Sequence, residues 1–131
     1  MDQPVNRFAC RVYYEDTDMA GIVYYANYLK YIERARSDWV RSLGIDQNAL
    51  RAQGTVFAVA RIEADWKSPA HFDDLLEVLT TVQQTSGARV VLRQNVTRGG
   101  HLLFGATVTL VAMDIKGRAT RLPAEFRRQI R

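Results

Sequence analysis

Residues 13–28 read Tyr-Tyr-Glu-Asp-Thr-Asp-Met-Ala-Gly-Ile-Val-Tyr-Tyr-Ala-Asn-Tyr, and this stretch decides the fold. The alternation of residues 8–14 predicts a strand that runs into an acidic turn at residues 15–18. Small residues then break the chain, and an apolar run leads to Asn27, which we expect to cap a helix. The pattern therefore places a carboxylate just before a helix N-terminus.

The helix that follows is predicted to span residues 27–43, and Gly44 stands where a helix stop is expected. Free N–H groups at a helix N-terminus favour negative charge, so the acidic turn beside them suits chemistry at an acyl carbon. Apolar side chains at helical spacing predict the buried face of the helix. They are Tyr28, Ile32, Ala35 and Trp39, widened by Leu29, Val40 and Leu43.

Beyond the helix the sequence predicts mainly antiparallel strands. Asp46 is expected to cap a second, short helix, and Pro69 to fix a loop at residues 67–74. Strict alternation in residues 56–66 predicts a strand with Ala58, Ala60, Ile62, Ala64 and Trp66 on one face. Further strands are predicted at residues 75–85, 88–98, 102–115 and 118–122, before a last helix at 124–130. This order predicts an α+β fold with one central helix against one sheet.

Size and composition fit a single domain spanning residues 1–131, with 47% hydrophobic residues. Cys10 is alone and predicted to be buried in a strand, so neither a disulfide framework nor a multi-cysteine metal site is expected. No apolar run approaches the ~20 residues that a membrane-spanning helix needs. The first residues lack the apolar region of a signal peptide, and a cytoplasmic protein is expected.

The net charge of +4 and the pI near 9.5 indicate a polyanionic ligand. The arginines are scattered rather than grouped with aromatics in a recognisable motif, which argues against nucleic acid. A ligand with several phosphates, such as coenzyme A, needs only a few cations at one pocket mouth. His71 and His101 have no metal-ligand spacing, and neither a Gly-x-Ser-x-Gly motif nor a P-loop is present, so no metal and no cofactor are predicted.

Two motifs resemble a known family. Residues 16–28, followed by Tyr-Ile-Glu-Arg-Ala-Arg at 31–36, resemble the signature of the 4-hydroxybenzoyl-CoA thioesterase-like hotdog-fold enzymes. Lys-Ser-Pro-Ala-His-Phe-Asp-Asp at 67–74 is similar to the central loop of the Tol–Pal-associated acyl-CoA thioesterases. The resemblance implies a hotdog fold, in which an antiparallel sheet wraps around one long helix. It also implies hydrolysis of acyl-CoA to a free acid and coenzyme A by a homodimer or homotetramer.

By motif position, the resemblance implies that Asp18 is the catalytic carboxylate, acting as nucleophile or as general base. It also implies that the backbone N–H of Tyr25 stabilises the oxyanion. The Tol–Pal branch commonly carries His at the position of Tyr25, whereas aromatic-acyl relatives carry Tyr. The length and aromaticity of the acyl group therefore stay open.

Five further residues are expected to bind substrate, and Asp16 is expected to hydrogen-bond local backbone, with tuning of the Asp18 pKa as the alternative. Gly21 lets a ligand approach the backbone. Arg89 is the first candidate for the phosphates of coenzyme A, ahead of Lys67 and Arg118. The substrate-binding set is Gly21, Tyr24, Glu33, Ser68 and Arg89.

Two other functions remain open at this point. The first is a non-catalytic hotdog module that binds acyl-CoA or acyl carrier protein, and Asp18 in the motif argues against it. The second is a basic nucleic-acid-binding domain, which would show salt-sensitive binding.

Overall fold

The computed structural model describes residues 5–130, so the ends of the predicted domain at residues 1–4 and 131 lie outside the described part. One five-stranded antiparallel sheet has the strand order β1-β3-β4-β5-β2. The predicted α+β arrangement is confirmed. The elements are β1 (Asn6–Arg11), α1 (Asn27–Ser42), α2 (Gln47–Ala52), β2 (Val56–Trp66), β3 (Leu75–Ser86), β4 (Arg89–Arg98), β5 (His101–Met113) and α3 (Ala124–Ile130).

The long helix α1 lies against one face of the sheet and supplies the centre of the core. Its predicted apolar line is confirmed, but Leu29 is 39% exposed because it lies outside the buried face. The N–H of Gly44 bonds to the carbonyl oxygen of Arg41 (2.9 Å), which ends the helix where the sequence predicted. The buried residues of α1 are Tyr28, Tyr31, Ile32, Ala35, Trp39 and Val40.

The expected cap at the start of α1 is wrong. Ala26 occupies the N-cap position and makes no side-chain cap bond. Asn27 is already helical, and its side-chain Nδ2 donates to the carbonyl oxygen of Asp16 (2.9 Å). Asn27 therefore ties the helix to the acidic turn and leaves N–H groups at the helix start without a side-chain cap.

A buried polar cluster joins the middle of α1 to the sheet. Gln94 is fully buried, and its Nε2 donates to the carbonyl oxygen of Ile32 (2.9 Å) and to the hydroxyl of Thr80 (3.0 Å). Its Oε1 accepts from Arg36 (3.0 Å), whose pKa is lowered by burial despite the opposing charge of Glu33. We call Gln94, Ile32, Thr80 and Arg36 the Gln94 cluster.

The edge strand β2 departs from its predicted alternation. Val59 pairs with Leu110 and Arg61 with Thr109, so Ala60 is an extra residue in a β-bulge. Since directly opposed residues share a face, Ala58, opposite Val111, does not lie on the face of Ile62, Ala64 and Trp66, and Ala60 has no opposed residue. The prediction of one continuous small-residue face is therefore wrong upstream of the bulge.

Smaller differences lie at the strand ends. Strand β1 stops at Arg11 instead of residue 14, because residues 14–16 form one turn of 3-10 helix. The predicted strand at 118–122 is reduced to a single bridge between Met113 and Ala119. Helix α3 forms as predicted, with Phe126 buried against Trp39 and Phe57. Within residues 5–130, no helix has the length and apolarity to cross a bilayer.

Candidate functional site

Three short extended segments, residues 16–18, 22–24 and 70–71, lie side by side above the start of α1. We call them the acidic ribbon. Asp18 donates its N–H to the carbonyl oxygen of Ile22 (2.9 Å), and Ile22 forms an antiparallel bridge with His71. In the next row, Val23 donates its N–H to the carbonyl oxygen of Ala70 (2.9 Å). Because neighbouring rows face opposite ways, the buried Val23 and Ala70 point inward, and Asp18, Ile22 and His71 point outward.

The carboxylate of Asp18 is anchored through one oxygen only. Its Oδ1 accepts the N–H of Ala20 (2.9 Å), while no partner of Oδ2 is found within residues 5–130. Gly21 has a φ of +79° and donates its N–H to the carbonyl oxygen of Asp18 (3.0 Å), in a backbone conformation that favours glycine. The turn therefore presents a free, exposed carboxylate oxygen.

Asp16 has the structural role that was expected of it. Its Oδ2 accepts the N–H of Tyr13 (2.8 Å), and its carbonyl oxygen accepts the N–H of Tyr24 (2.9 Å) as well as Asn27 Nδ2. Beneath it lies the buried phenol of Tyr31, whose pKa is raised by burial and further by the charge of Asp16. Asp16 thus fastens the turn that carries the outward-facing carboxylate.

The entrance of α1 offers a free backbone donor. No acceptor for the N–H of Tyr25 is found within residues 5–130, while its carbonyl oxygen accepts the indole N–H of Trp66 (3.1 Å). The ring of Tyr25 lies 4.9 Å from that of Tyr24 and is 60% exposed. The neighbouring phenol of Tyr25 raises the pKa of Tyr24, and the charge of Asp18 adds to this shift.

The remaining predicted site residues are distributed unequally. Ser68 lies two residues after Trp66, whose indole bonds to the Tyr25 carbonyl, and donates its own N–H to the carbonyl oxygen of Leu103 (3.0 Å). Glu33 accepts the hydroxyl of Ser37 (2.6 Å) in an exposed position and makes no bond to the acidic turn. It lines a groove of about 200 Å³ between α1 and β2.

Arg89 lies at the other end of the sheet. It begins β4, whose last residue, Arg98, reaches the site loop by donating to the carbonyl oxygen of Pro69 (3.4 Å). Ten strand residues span about 30 Å at ~3.3 Å each. The weaker candidate Arg118 lies at the same far end, paired with Asp114 (3.1 Å). One protomer therefore brings together Asp18, Gly21, Tyr24, Tyr25 and Ser68, with Lys67 beside them, and leaves Glu33 and Arg89 apart.

His71 was not predicted as a site residue, and the structure places it on the outward face of the acidic ribbon through its bridge to Ile22. The carboxylate of Asp74 accepts the backbone N–H of His71 (2.8 Å) and the guanidinium of Arg98 (2.7 Å). Partial burial acts to raise the pKa of Asp74, but these two bonds outweigh it and hold the pKa below its ordinary value. The available signal for the outward position of His71 was alternation in an extended segment, since the preceding residue, Ala70, is buried. In the described part of the chain, no three His, Cys, Asp or Glu side chains form a metal-binding group.

A sheet wrapped on one long helix, with an acid and a free backbone donor at the helix start, defines the hotdog thioesterase class. The chain belongs to the Thioesterase-like superfamily, whose sequence pattern matches residues 12–130. The predicted family and hotdog fold are confirmed.

Curated and solved relatives agree with this placement. The acyl-CoA thioester hydrolase YbgC of Escherichia coli is 35% identical over 97% of this chain and 99% of its own length. A probable thioesterase from Bartonella henselae is 34% identical, with a TM-score of 0.87 over 92% of this chain and 100% of its own. A 4-hydroxybenzoyl-CoA thioesterase, complexed with 4-hydroxybenzoyl-CoA, is 22% identical with a TM-score of 0.90 over 97% and 99% of the two chains, which supports the fold alone.

Proposed function

We propose that the acidic ribbon is the active site of an acyl-CoA thioesterase, which hydrolyses acyl-CoA to a free acid and coenzyme A. The class of activity follows from the family and from relatives named acyl-CoA thioester hydrolase. One observation carries the assignment of the site. The free carboxylate oxygen of Asp18 stands at the start of α1, where the N–H of Tyr25 has no acceptor within residues 5–130.

The chemistry needs no metal, because a thioester carbonyl is less stabilised by resonance than that of an ordinary ester. Asp18 attacks the carbonyl carbon or removes a proton from the attacking water; general-base help of this kind contributes about 10²–10⁴-fold. Negative charge then develops on the carbonyl oxygen. The N–H of Tyr25, assisted by the other free donors of the helix start, stabilises that charge, a contribution of about 10²–10³-fold.

Substrate binding is proposed to involve more than one copy of the chain. Gly21, Tyr24 and Ser68 lie near Asp18 and form the near side of the site. Arg89 stands too far away in the same protomer, so we assign it to the phosphates of coenzyme A bound against a neighbouring copy.

A homodimer or homotetramer would supply that copy. Strand β2 is an edge strand of eleven residues, and unpaired edges favour pairing with another chain. Large apolar side chains around the acidic turn also remain exposed, which is typical of an interaction surface. They include Tyr14 at 82%, Met19 at 106% and Phe72 at 58% exposure.

Finer parts of the assignment are supported by the resemblance or by sequence features. These are a cytoplasmic location, a role with the Tol–Pal envelope system, and acyl carrier protein as a further partner. Tyr25, which replaces the histidine common in that branch, leaves aliphatic and aromatic acyl groups as candidates. The second candidate function is a non-catalytic module that binds acyl-CoA.

The test is hydrolysis of a panel of acyl-CoA esters that vary in chain length and aromaticity. We expect turnover of at least one ester, and a loss of about 10³-fold in kcat for Asp18→Asn, because the base or nucleophile is removed. An Asn oxygen can still accept the N–H of Ala20, so the melting temperature should be nearly unchanged.

Asp46→Asn is the matched control. Asp46 caps α2 by accepting from the N–H groups of Asn48 and Ala49, and Asn caps equally well. Its kcat should equal that of the wild type. Binding without turnover across the panel, or full activity of Asp18→Asn, would contradict the proposed site.

A further inference from the structure

His71 carries an accessible imidazole on the same outward face as Asp18, the proposed nucleophile or base. Its Nδ1 lies 3.9 Å from Asp74 Oδ2, and its side chain is 55% exposed. Asp74 is itself fixed by Arg98 and by the backbone N–H of His71. The 3.9 Å separation of Nδ1 and Oδ2 is too long for a hydrogen bond, but the carboxylate lies on the Nδ1 side of the ring and leaves Nε2 available to a ligand. The function derived above gives His71 no task.

The acidic ribbon places His71 and Asp18 on opposite sides of Ile22, on one outward face. Each is one chain spacing from Ile22, so their backbones are about 10 Å apart at ~4.8 Å per spacing. Reacting groups approach to about 3–3.5 Å. Two side chains that each reach a few ångströms into this gap can therefore contact opposite ends of one scissile bond.

We propose that His71 is the general acid of the reaction, a proposal that rests on the thioesterase site described above. When the carbon–sulfur bond breaks, its electron pair stays on sulfur, and the proton on Nε2 of His71 is transferred to that sulfur. The carbonyl carbon has meanwhile bonded to oxygen, either of Asp18 or of the water whose proton Asp18 accepts. Where Asp18 itself has attacked, water then cleaves the acyl–Asp18 anhydride and releases the acid with the Asp18 carboxylate; where Asp18 has accepted the proton of water, it passes that proton to solvent. His71 takes up a proton from solvent. The products are the free acid and the thiol.

This step is common to both roles of Asp18, because the sulfur leaves in either case. The charged groups around the imidazole are Asp74 and Asp73 of its own loop, Arg98 of β4, Arg11 of β1 and Asp18 of the turn. Arg98 bonds to Asp74 (2.7 Å), and Arg11 bonds to the carbonyl oxygen of Asp73 (2.8 Å). Asp18 lies on the same outward face as the imidazole, and the ribbon residue between them is the uncharged Ile22.

The experiment compares two leaving groups on the same acyl chain. With acyl-CoA, an alkyl thiolate must be protonated, and His71→Gln should lower kcat by about 10²-fold. With the thiophenol ester, the leaving thiolate is stable without a proton, and the same variant should lose less than about fivefold. The alkaline limb of the wild-type pH profile on acyl-CoA should disappear in the variant.

Two further variants decide the outcome. His71→Arg keeps a positive charge without a transferable proton and should be as slow as His71→Gln. His101→Gln changes the other histidine, exposed at the start of β5, and should leave both esters unaffected. Equal losses on the two esters, a change in KM alone, or full activity of His71→Arg would overturn the proposal. Asp18→Asn must still be inactive on both esters in these cases, so failure of this step is distinguishable from failure of the proposed function.

Discussion

The acidic ribbon and the Gln94 cluster lie at two points along the same helix and use polar groups in opposite ways. At the middle of α1, the buried Gln94 donates twice and accepts once. At the start of α1, Asp18 keeps one exposed oxygen free, and the N–H of Tyr25 has no acceptor within residues 5–130. The satisfied hydrogen bonds of the buried cluster specify one packing of the helix on the sheet. The unsatisfied donor and acceptor at the helix start are available to bind a substrate. Stability and reactivity are thereby separated by about two turns of helix.

The largest effect on stability is expected from Gln94→Leu. The substitution leaves the carbonyl oxygen of Ile32, the hydroxyl of Thr80 and the guanidinium of Arg36 without their partner in a buried site. We expect a loss of about 3 kcal/mol in the free energy of unfolding, measured with urea. The kcat of the protein that remains folded should change little. Gln84→Leu, on an exposed position of β3, is the control and should stay within about 0.5 kcal/mol.

A smaller effect is expected from Asp16→Ala, which tests whether a residue of the ribbon behaves like the cluster. The change removes the acceptor of the Tyr13 N–H, and we expect a loss of about 1–2 kcal/mol together with a lower kcat. Asp16→Asn retains an acceptor oxygen. Its pH profile of kcat should match the wild type; a displaced acid limb would instead show that Asp16 tunes the pKa of Asp18.

The smallest effect is expected from Asp74→Asn and depends on pH. The folded-state pKa of Asp74 lies below its ordinary value of about 3.9, so its ionised form adds stability above that pH. This contribution is lost as the pH falls through the folded-state pKa. The melting temperature of Asp74→Asn should therefore lie below that of the wild type at pH 6 and approach it at pH 2–3. A difference that is the same at both pH values would contradict this assignment.

Local patterns were enough to predict most of the fold. The apolar spacing of α1 and the glycine after it gave the helix to within one residue, since both signals lie within the helix itself. The cap of α2 at Asp46 was likewise predicted from neighbouring residues. The bulge at Ala60 was not, because an extra residue in β2 is defined only by its pairing with β5.

The site was predictable where one continuous segment forms it. Asp18, Gly21 and the peptide of Tyr25 belong to one motif and lie together. His71 joins them through a bridge to Ile22 that spans 49 positions of sequence, which no local pattern indicates. Gln94 also escaped prediction, since a glutamine in an alternating strand resembles a surface residue until its partners on α1 and β3 are known.

The bulge at Ala60 has a consequence for both ends of the molecule. Phe57 and Trp66 are nine positions apart, an odd number, so an unbroken strand would turn one of them away from the helix. Because Ala60 is unpaired, Phe57 and Trp66 lie opposite Ala112 and Phe104, which are eight positions apart and share one face of β5. Phe57 thereby meets Phe126 of α3, and Trp66 holds the carbonyl of Tyr25. Deleting this single alanine would leave β2 able to serve the terminal helix or the catalytic peptide, but not both.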